Sequence, residues 1–179
     1  HNIQFMQKMF YNCESLEKLD IVEEFEGNSV TNMDQMFENC KSLTSLNFKN
    51  FETPNLKSFT KAFKNCEKLK VLRLPKLKTN LLNSLNELFE NCKSLEIIEQ
   101  NFITTEVIAF SKVFFGCESL TALDLSNWDV TNSNQFISTF EGCKKLEKLD
   151  INTWNSKYAT QIQNMFKDCE SLTDLKMST

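Results

Sequence analysis

The sequence of 179 residues has little glycine and a single histidine, and these shortages exclude several kinds of chemistry. Three glycines are too few for a phosphate-binding loop or a dinucleotide fingerprint, both of which need glycines at fixed spacing. The histidine is His1, at the terminus, so no ordinary Ser-His-Asp or Cys-His arrangement is present. We therefore expect no catalytic site and no cofactor, and we expect that the protein is not an enzyme.

Long apolar runs and an excess of positive charge are missing as well. No apolar stretch approaches the roughly 18–20 residues that a membrane-spanning helix needs. The formal net charge is −4, so no basic field attracts nucleic acid or an anionic membrane surface. We expect neither nucleic-acid binding nor membrane insertion by this segment.

Cysteine, by contrast, is abundant and evenly spaced. The seven cysteines are Cys13, Cys40, Cys66, Cys92, Cys117, Cys143 and Cys169, separated by 25 to 27 residues. A fixed period of roughly 20–50 residues indicates one supersecondary unit that is copied and stacked into a solenoid. We expect a single repeat array over residues 1–179, with a partial unit at 1–12, units that start at 13, 40, 66, 92, 117 and 143, and a partial unit at 169–179. The partial ends indicate an excerpt of a longer protein.

Other residues repeat together with the cysteines. A phenylalanine stands three residues before every cysteine and a leucine three residues after it. Because the cysteines share one repeat position, their side chains point the same way and are poorly placed for disulfides. The chain contains no Cys-x-x-Cys, so a metal site is not expected either. We interpret the cysteines as a row of small buried core residues, with stacked disulfides or a redox role as alternatives.

The apolar spacing around each cysteine predicts the secondary structure. Before the second cysteine, apolar residues recur every three or four positions, which is typical of one face of a helix. These residues are Val30, Met33, Met36, Phe37 and Cys40. After it, apolar and polar residues alternate, which predicts a short strand with Leu46 and Phe48 facing inward. The predicted fold class is α/β: a leucine-rich-repeat solenoid of about seven units of 25–27 residues, with a parallel sheet on one face and short helices on the other.

The fourth unit departs from this pattern. It is 25 residues long, and Gln100 occupies an inward strand position that is apolar in every other unit. We expect Phe102 to turn inward in its place, and we expect a bulge or register irregularity near residues 99–104.

Two segments carry a resemblance to a known family. Residues 33–48, MDQMFENCKSLTSLNF, resemble the BspA-like leucine-rich repeats, and more narrowly the repeat of about 26 residues in bacterial surface proteins. Residues 120–131, LTALDLSNWDVT, are similar to that family's Leu-x-x-Leu-Asp-Leu-Ser pattern, although its aspartate recurs only at Asp20, Asp124 and Asp150. The resemblance extends over the whole chain. It implies a solenoid of surface-exposed or secreted proteins that are associated with adhesion and share no catalytic site.

The outward residues of the predicted strands are the candidate binding residues, since they vary between units while the inward residues do not. They include Val71, Arg73, Ile97, Glu99, Ala122, Asp124, Lys148 and Asp150. Val71, Ile97 and Ala122 are predicted to form an apolar patch on consecutive strands. Beside it, Glu99, Asp124 and Asp150 are predicted to lie about 4.8 Å apart. Three interpretations stay open: a solvated sheet face, an apolar hot spot rimmed by acid that suits a basic protein, and a weak cation site.

We expect a non-enzymatic protein-binding or adhesion module at the cell surface or in a secreted protein, with a host or other cell-surface protein as its partner. One alternative is a rigid spacer that displays another domain. Another is an intracellular interaction scaffold, which free thiols suit better than an oxidising exterior does. The uncapped first and last units are expected to fray or to associate end to end.

Overall fold

The chain winds into a parallel β-solenoid of seven coils, each built around one cysteine. The computed structural model describes residues 3–20, 27–47, 52–74, 80–100, 102–155 and 157–178. We number the coils by their cysteines and count positions from the cysteine, so that the phenylalanine of each coil is at position −3. Each coil carries one strand: β1 Lys18–Asp20, β2 Ser45–Asn47, β3 Val71–Leu74, β4 Ile97–Gln100, β5 Ala122–Asp124, β6 Lys148–Ile151 and β7 Asp174–Met177.

Neighbouring strands pair in parallel with equivalent repeat positions opposite each other. Leu46 of β2 lies opposite Leu72 of β3, which lies opposite Ile98 of β4. Strands β1–β4 form one sheet and β5–β7 form another. A row of isolated parallel bridges at position −8 joins the coils on a second side, for example between Phe5 and Asn32. The predicted parallel strands are confirmed, whereas Phe48 lies outside the described residues.

The predicted short helices are wrong, because the described residues contain none. In residues 30–40 the chain makes successive hydrogen-bonded turns: the Met36 N–H donates to the Met33 carbonyl at 3.3 Å, and the Cys40 N–H to the Phe37 carbonyl at 3.0 Å. Gln35 and Asn39 have φ values of 56° and 63°. These left-handed values interrupt a right-handed helix and suit the third position of a type II turn. The fold is therefore a β-solenoid without the helical layer that the spacing suggested.

The turns reproduce the apolar spacing that suggested a helix. Each turn advances the chain by a few residues and returns an apolar side chain to the interior, so a stripe at intervals of three and four residues results. Met33, Phe37 and Cys40 are all fully buried in this way. The distinguishing feature is the pair of left-handed residues at positions −5 and −1, which recurs in all seven coils.

Backbone hydrogen bonds join the turn segments of neighbouring coils. In coil 1, alternate N–H groups donate to carbonyl oxygens of coil 2, while most of the others donate within their own coil. The donors are Met6, Lys8, Phe10 and Asn12, and the acceptors are Asn32, Asp34, Met36 and Glu38, at 2.9 Å each. We call this set of bonds between coils the turn ladder. It gives partners to backbone groups that a helix would satisfy internally.

Two rows of side chains in the core, the phenylalanines and the cysteines, are joined to each other. The six neighbouring pairs of −3 phenylalanine rings have centroid separations of 5.1 to 5.7 Å. Each thiol from Cys40 to Cys169 donates to the carbonyl of the phenylalanine in the preceding coil, at 3.1 to 3.2 Å. All seven cysteines are free, and those of coils 2–6 are buried. The predicted row of small core residues is confirmed, and each large ring that it packs against contributes about 1.5–3 kcal/mol by burial.

The predicted irregularity of the fourth unit is confirmed. Phe102 is 2% exposed and packs in the core. The Gln100 side-chain oxygen accepts hydrogen bonds from the Phe102 N–H at 2.8 Å and from the Trp128 indole N–H at 3.2 Å. β4 does not pair with β5, and the Cα atoms of these two strands lie more than 8 Å apart. The outward strand face is therefore divided into two parts.

An asparagine ladder runs along the turn segments at position −1. The side-chain amides of Asn39, Asn65 and Asn91 each donate to the Oδ1 of the asparagine in the preceding coil, at 2.7 to 2.9 Å. Asparagine tolerates the left-handed conformation that this position requires. Gly116 takes the same position in coil 5, where a Cβ atom would lie 2.7 Å from the Oδ1 of Asn91. The ladder therefore ends at Asn91.

Replacing Asn65 tests the ladder. Asn65→Ala places a Cβ-bearing residue without a polar side chain at φ 60°, which costs about 1–2 kcal/mol. It also removes two amide hydrogen bonds worth about 0.5–1.5 kcal/mol each. Asn65→Gly removes the same bonds but tolerates the backbone angle, as Gly116 and Gly142 do. In urea unfolding we expect the parent chain to have the highest midpoint concentration, Asn65→Gly a lower one and Asn65→Ala the lowest. Equal stability of the two variants would contradict the left-handed assignment.

The buried thiols make stability depend on pH. Burial raises the pKa of Cys40 to about 12, and it also raises the pKa of the Cys66, Cys92, Cys117 and Cys143 thiols. In the unfolded chain a thiol has a pKa of about 8.5. Above that pH the unfolded chain loses protons that the folded chain keeps, so stability is complete below about pH 8.5 and is lost as the pH rises toward the folded pKa values.

Cys92→Ser isolates one thiol of this set. A serine hydroxyl does not titrate in this range and keeps a donor for the Phe63 carbonyl. We expect the free energy of unfolding to fall with pH less steeply in Cys92→Ser, by up to about 1.4 kcal/mol per pH unit. The measurement is urea unfolding in reducing buffer between pH 8 and pH 10. The control is the parent chain, measured in the same buffers. If the free energy of unfolding of Cys92→Ser fell with pH as steeply as that of the parent chain, Cys92 would not contribute to the pH dependence.

Candidate protein-binding face

The outward residues of β3 and β4 form one patch of the strand face. Val71 lies opposite Ile97 and Arg73 lies opposite Glu99, as the register predicts. Ile97 is 46% exposed, and Val71 is half-buried beside it. The Arg73 Nε lies 3.0 Å from the Glu99 Oε1, and both side chains are exposed to solvent. This β3–β4 patch is thus an apolar pair next to an exposed ion pair.

The outward residues of β5, β6 and β7 border a shallow groove of about 420 Å³. Ala122, Lys148 and Asp174 share one row of the register, and Asp124, Asp150 and Lys176 share the next. The Lys176 ammonium lies 3.2 Å from the Asp150 carboxylate. Leu123 and Leu149, at position +6, contribute to the floor. We call this feature the β5–β7 groove.

Asp124 is the groove carboxylate that the fold holds in its charged form. Its Oδ1 accepts hydrogen bonds from the Ser126 hydroxyl at 2.6 Å and from the Ser126 N–H at 2.9 Å. These two bonds lower the pKa of Asp124 below its ordinary value. A hydrogen bond with Asp150 raises the pKa of Lys176. The Lys176 charge also contributes to the lowered pKa of Asp124. Within the described residues, however, no lysine or arginine lies within 4.0 Å of Asp124, which leaves room for a closer cation from outside.

The structure brings together some of the predicted face residues and separates others. Val71 and Ile97 are neighbours, but Ala122 is not beside them, because β4 and β5 do not pair. For the same reason Glu99 does not lie beside Asp124, and Arg73 neutralises it. Asp124 and Asp150 do lie opposite each other. The predicted row of three carboxylates is therefore a pair, with Lys176 at its edge.

Sequence reasoning missed a charged cluster between coils 3 and 4 on the turn side. Lys64 lies 2.6 Å from Glu87 and 3.2 Å from Glu90, whose side chain is nearly buried. Burial is the main cause that raises the pKa of Glu90, and a hydrogen bond with Glu87 raises it further. No regular spacing marks these residues in the sequence, because the charges at positions −5 and −2 change from coil to coil. The asparagine ladder was missed too, although the residue before the cysteine is asparagine in coils 1–4.

The described residues contain neither a metal-binding cluster nor a membrane-spanning helix. No group of three or more His, Cys, Asp or Glu side chains in the described part of the chain is arranged to hold a metal ion. Within those ranges, no helix has the length and apolar character to cross a bilayer.

Comparison with known proteins places the repeat in a family. A sequence model of the family described as "Mycoplasma protein of unknown function, DUF285" matches the chain twice, at residues 1–96 and 83–178. The chain belongs to this family. Each match covers several coils, so the DUF285 pattern is itself a block of stacked repeats. No curated protein matches the sequence.

The exposed ion pair of this DUF285 array should add little to its stability. The Arg73 and Glu99 side chains are 44% and 53% exposed, and such pairs contribute at most about 1 kcal/mol. We expect Arg73→Ala to change the free energy of unfolding by less than that amount. Phe89→Ala in the same urea assay should lower it by about 3–5 kcal/mol, because it leaves a core cavity. If Arg73→Ala lowered the free energy of unfolding as much as Phe89→Ala, the outward residues would be structural rather than free to vary.

Proposed function

We propose that this DUF285 array is a non-enzymatic module that binds a protein partner through the outward residues of its strands. The observation that carries the proposal is the contrast between the two sides of each strand. The inward position +6 is leucine in six coils and isoleucine in the other, whereas the outward positions +5 and +7 differ between coils. A fixed scaffold with a variable face supports recognition, because the face can change without loss of the core.

The two parts of the strand face offer different contacts to a partner. Ile97 is an exposed apolar side chain on a rigid strand, next to Val71, and supplies an anchor whose burial is favourable. The β5–β7 groove offers Asp124, a charged carboxylate with no lysine or arginine of the described residues within 4.0 Å. A basic protein segment with an apolar side chain fits both features, since its lysine or arginine would pair with Asp124. Ile97 and Asp124 are therefore the residues that we expect to matter most.

The setting that we propose is the cell surface or the secreted fraction, with a host or other cell-surface protein as partner. It rests on the resemblance of residues 33–48 and 120–131 to the BspA-like leucine-rich repeats of adhesive proteins. A cytoplasmic scaffold is the alternative, and the free thiols favour it. Protease treatment of intact cells that make the protein distinguishes the two: loss of the array supports a surface location, and full protection contradicts it.

A rigid spacer is the second candidate function. The phenylalanine row and the turn ladder run through the coils from Phe10 to Phe166 with regular contacts, which favours a stiff rod. In that case the strand face would be solvated and without a partner. The two functions differ in what happens when the outward residues are changed.

Panning a phage-displayed random peptide library against the folded chain separates them. We expect enriched peptides with lysine or arginine next to apolar residues. Ile97→Lys and Asp124→Lys should each weaken binding of these peptides about tenfold or more, equal to about 1.4 kcal/mol. The measurement is titration calorimetry with the enriched peptide.

Two substitutions away from the strand face serve as matched controls. Ile108 is 48% exposed, which is similar to the 46% exposure of Ile97. Glu106 is an exposed carboxylate on a turn. Ile108→Lys and Glu106→Lys introduce the same changes of polarity and charge and should leave affinity unchanged. Failure to enrich peptides, or equal losses in the controls, would contradict the binding function and favour the spacer.

A further inference from the structure

The strand face is interrupted in the middle of the array. At five of the six junctions between coils, the N–H at position +4 donates to the +4 carbonyl of the preceding coil, at 2.8 to 3.1 Å. The donors are Thr44, Lys70, Glu96, Glu147 and Thr173. The junction between coils 4 and 5 lacks this bond. Within the described ranges, the Thr121 N–H has no acceptor and the Glu96 carbonyl accepts no hydrogen bond.

The coils on either side of this interruption stay joined in the interior. The Cys117 thiol donates to the Phe89 carbonyl at 3.2 Å before the strands begin. The Trp128 indole N–H donates to the Gln100 side chain at 3.2 Å where they end. Cys117 and Trp128 are 0% and 1% exposed, so both contacts lie below the surface. The interruption is therefore an opening in the outer face that is bounded at both ends, and we call it the β4–β5 gap.

The β4–β5 gap has the dimensions and the backbone chemistry of a missing strand. Paired strands lie about 4.8 Å apart, so two strands with a third between them lie about 10 Å apart. The Cα atoms of β4 and β5 are more than 8 Å apart, which is well beyond the spacing of a pair. The two edges that face each other have no strand partner among the described residues. Both edges therefore present backbone donors and acceptors to an extended chain.

The gap also exposes apolar side chains that are buried elsewhere in the array. Position +6 faces the core, and Leu46, Leu72 and Leu149 are 0 to 2% exposed there. Ile98 of β4 and Leu123 of β5 occupy the same position but are only half-buried. A strand in the gap would cover both with one inward side chain, and burial of apolar surface favours this arrangement.

The rim of the gap is acidic. β4, β5 and the residue that precedes each carry three carboxylates and no lysine or arginine. Glu99 pairs with Arg73, whereas no lysine or arginine of the described residues lies within 4.0 Å of Glu96 or Asp124. In a strand that fills the gap, a residue next to the inward one points outward between Glu99 and Asp124. A lysine or arginine at that place complements the charge of the rim.

We propose that the β4–β5 gap binds an extended segment of the protein partner as an added strand, with an apolar residue turned inward and a lysine or arginine beside it on the outer face. This rests on the proposed function, since the segment belongs to that partner, and it specifies how the partner is held. The segment forms backbone hydrogen bonds with β4 on one side and with β5 on the other. It joins the two parts of the strand face into one sheet, which brings Ile97 and Asp124 onto one continuous surface.

The blocked pentapeptide acetyl-Thr-Arg-Val-Arg-Thr-amide tests the proposal on the folded chain. Its side chains read the same in both directions, so an arginine lies between Glu99 and Asp124 whichever way the strand runs. We expect saturable changes of the amide NMR signals of β4 and β5 at peptide concentrations up to about 1 mM. Solvent exchange of the Thr121 N–H should slow as the peptide saturates, because the added strand supplies an acceptor. The Lys70 N–H, which already donates to the Thr44 carbonyl, should exchange as before.

Two N-methylated peptides serve as matched controls. Successive residues of an extended chain direct their N–H groups to opposite edges, so the valine N–H faces one strand and the N–H of the following arginine faces the other. Methylation of either nitrogen should weaken binding about tenfold or more, because it removes a hydrogen bond and places a methyl group against a strand edge. A strand added to a single edge would be weakened by only one of the two, and a peptide held by its side chains alone by neither.

The contrary outcomes separate this proposal from the proposed function. Unchanged amide signals at about 1 mM pentapeptide overturn the added strand. Binding that tolerates either N-methyl group overturns it as well, but leaves recognition through the outward side chains intact. Signal changes that spare β4 and β5 also overturn it, since the peptide then binds elsewhere. Peptide panning decides the proposed function independently of these results.

Discussion

Hydrogen bonding between coils is the constraint on which the rest of the structure depends. The turn segments have left-handed residues at positions −5 and −1, so they cannot satisfy their backbone groups in a helix. Half of their N–H groups are satisfied only by the next coil, as between Phe37 and Ala62 at 2.8 Å. A coil by itself would leave these groups unpaired. Stability is therefore a property of stacked neighbours, as in other solenoids.

The core follows from the same constraint. Stacking at a fixed register brings equivalent residues together, so one residue type per position is enough to build a continuous row. The phenylalanine row and the cysteine row are joined because each thiol donates to a phenylalanine carbonyl one coil earlier. Burial prevents ionisation of these thiols, which act as packing and donor groups. The outward residues of the strands take no part in these rows, and this leaves them free to differ.

Much of the fold could be predicted from the sequence. The spacing of Cys40, Cys66 and Cys92 predicted the number and length of the coils, and alternation after each cysteine predicted strands that the structure contains. The helices were wrong, because turns and helices both return an apolar residue to the core every three or four positions. Asn39 and its equivalents were the available signal against a helix. The candidate face was harder to predict. Gln100 indicated an irregularity in the sequence, but it did not indicate that β4 and β5 would fail to pair and that Ile97 would be separated from Asp124.

The turn segments are linked between coils instead of being coiled into helices, and backbone chemical shifts and HN–Hα couplings from NMR test this most directly. We expect left-handed backbone angles at Gln35, Asn39, Lys61 and Asn65, with right-handed or extended residues between them. An uninterrupted run of right-handed helical values across residues 33–40 would contradict it. In that case the hydrogen bonds of the turn ladder could not form, and the coils would not be joined as described.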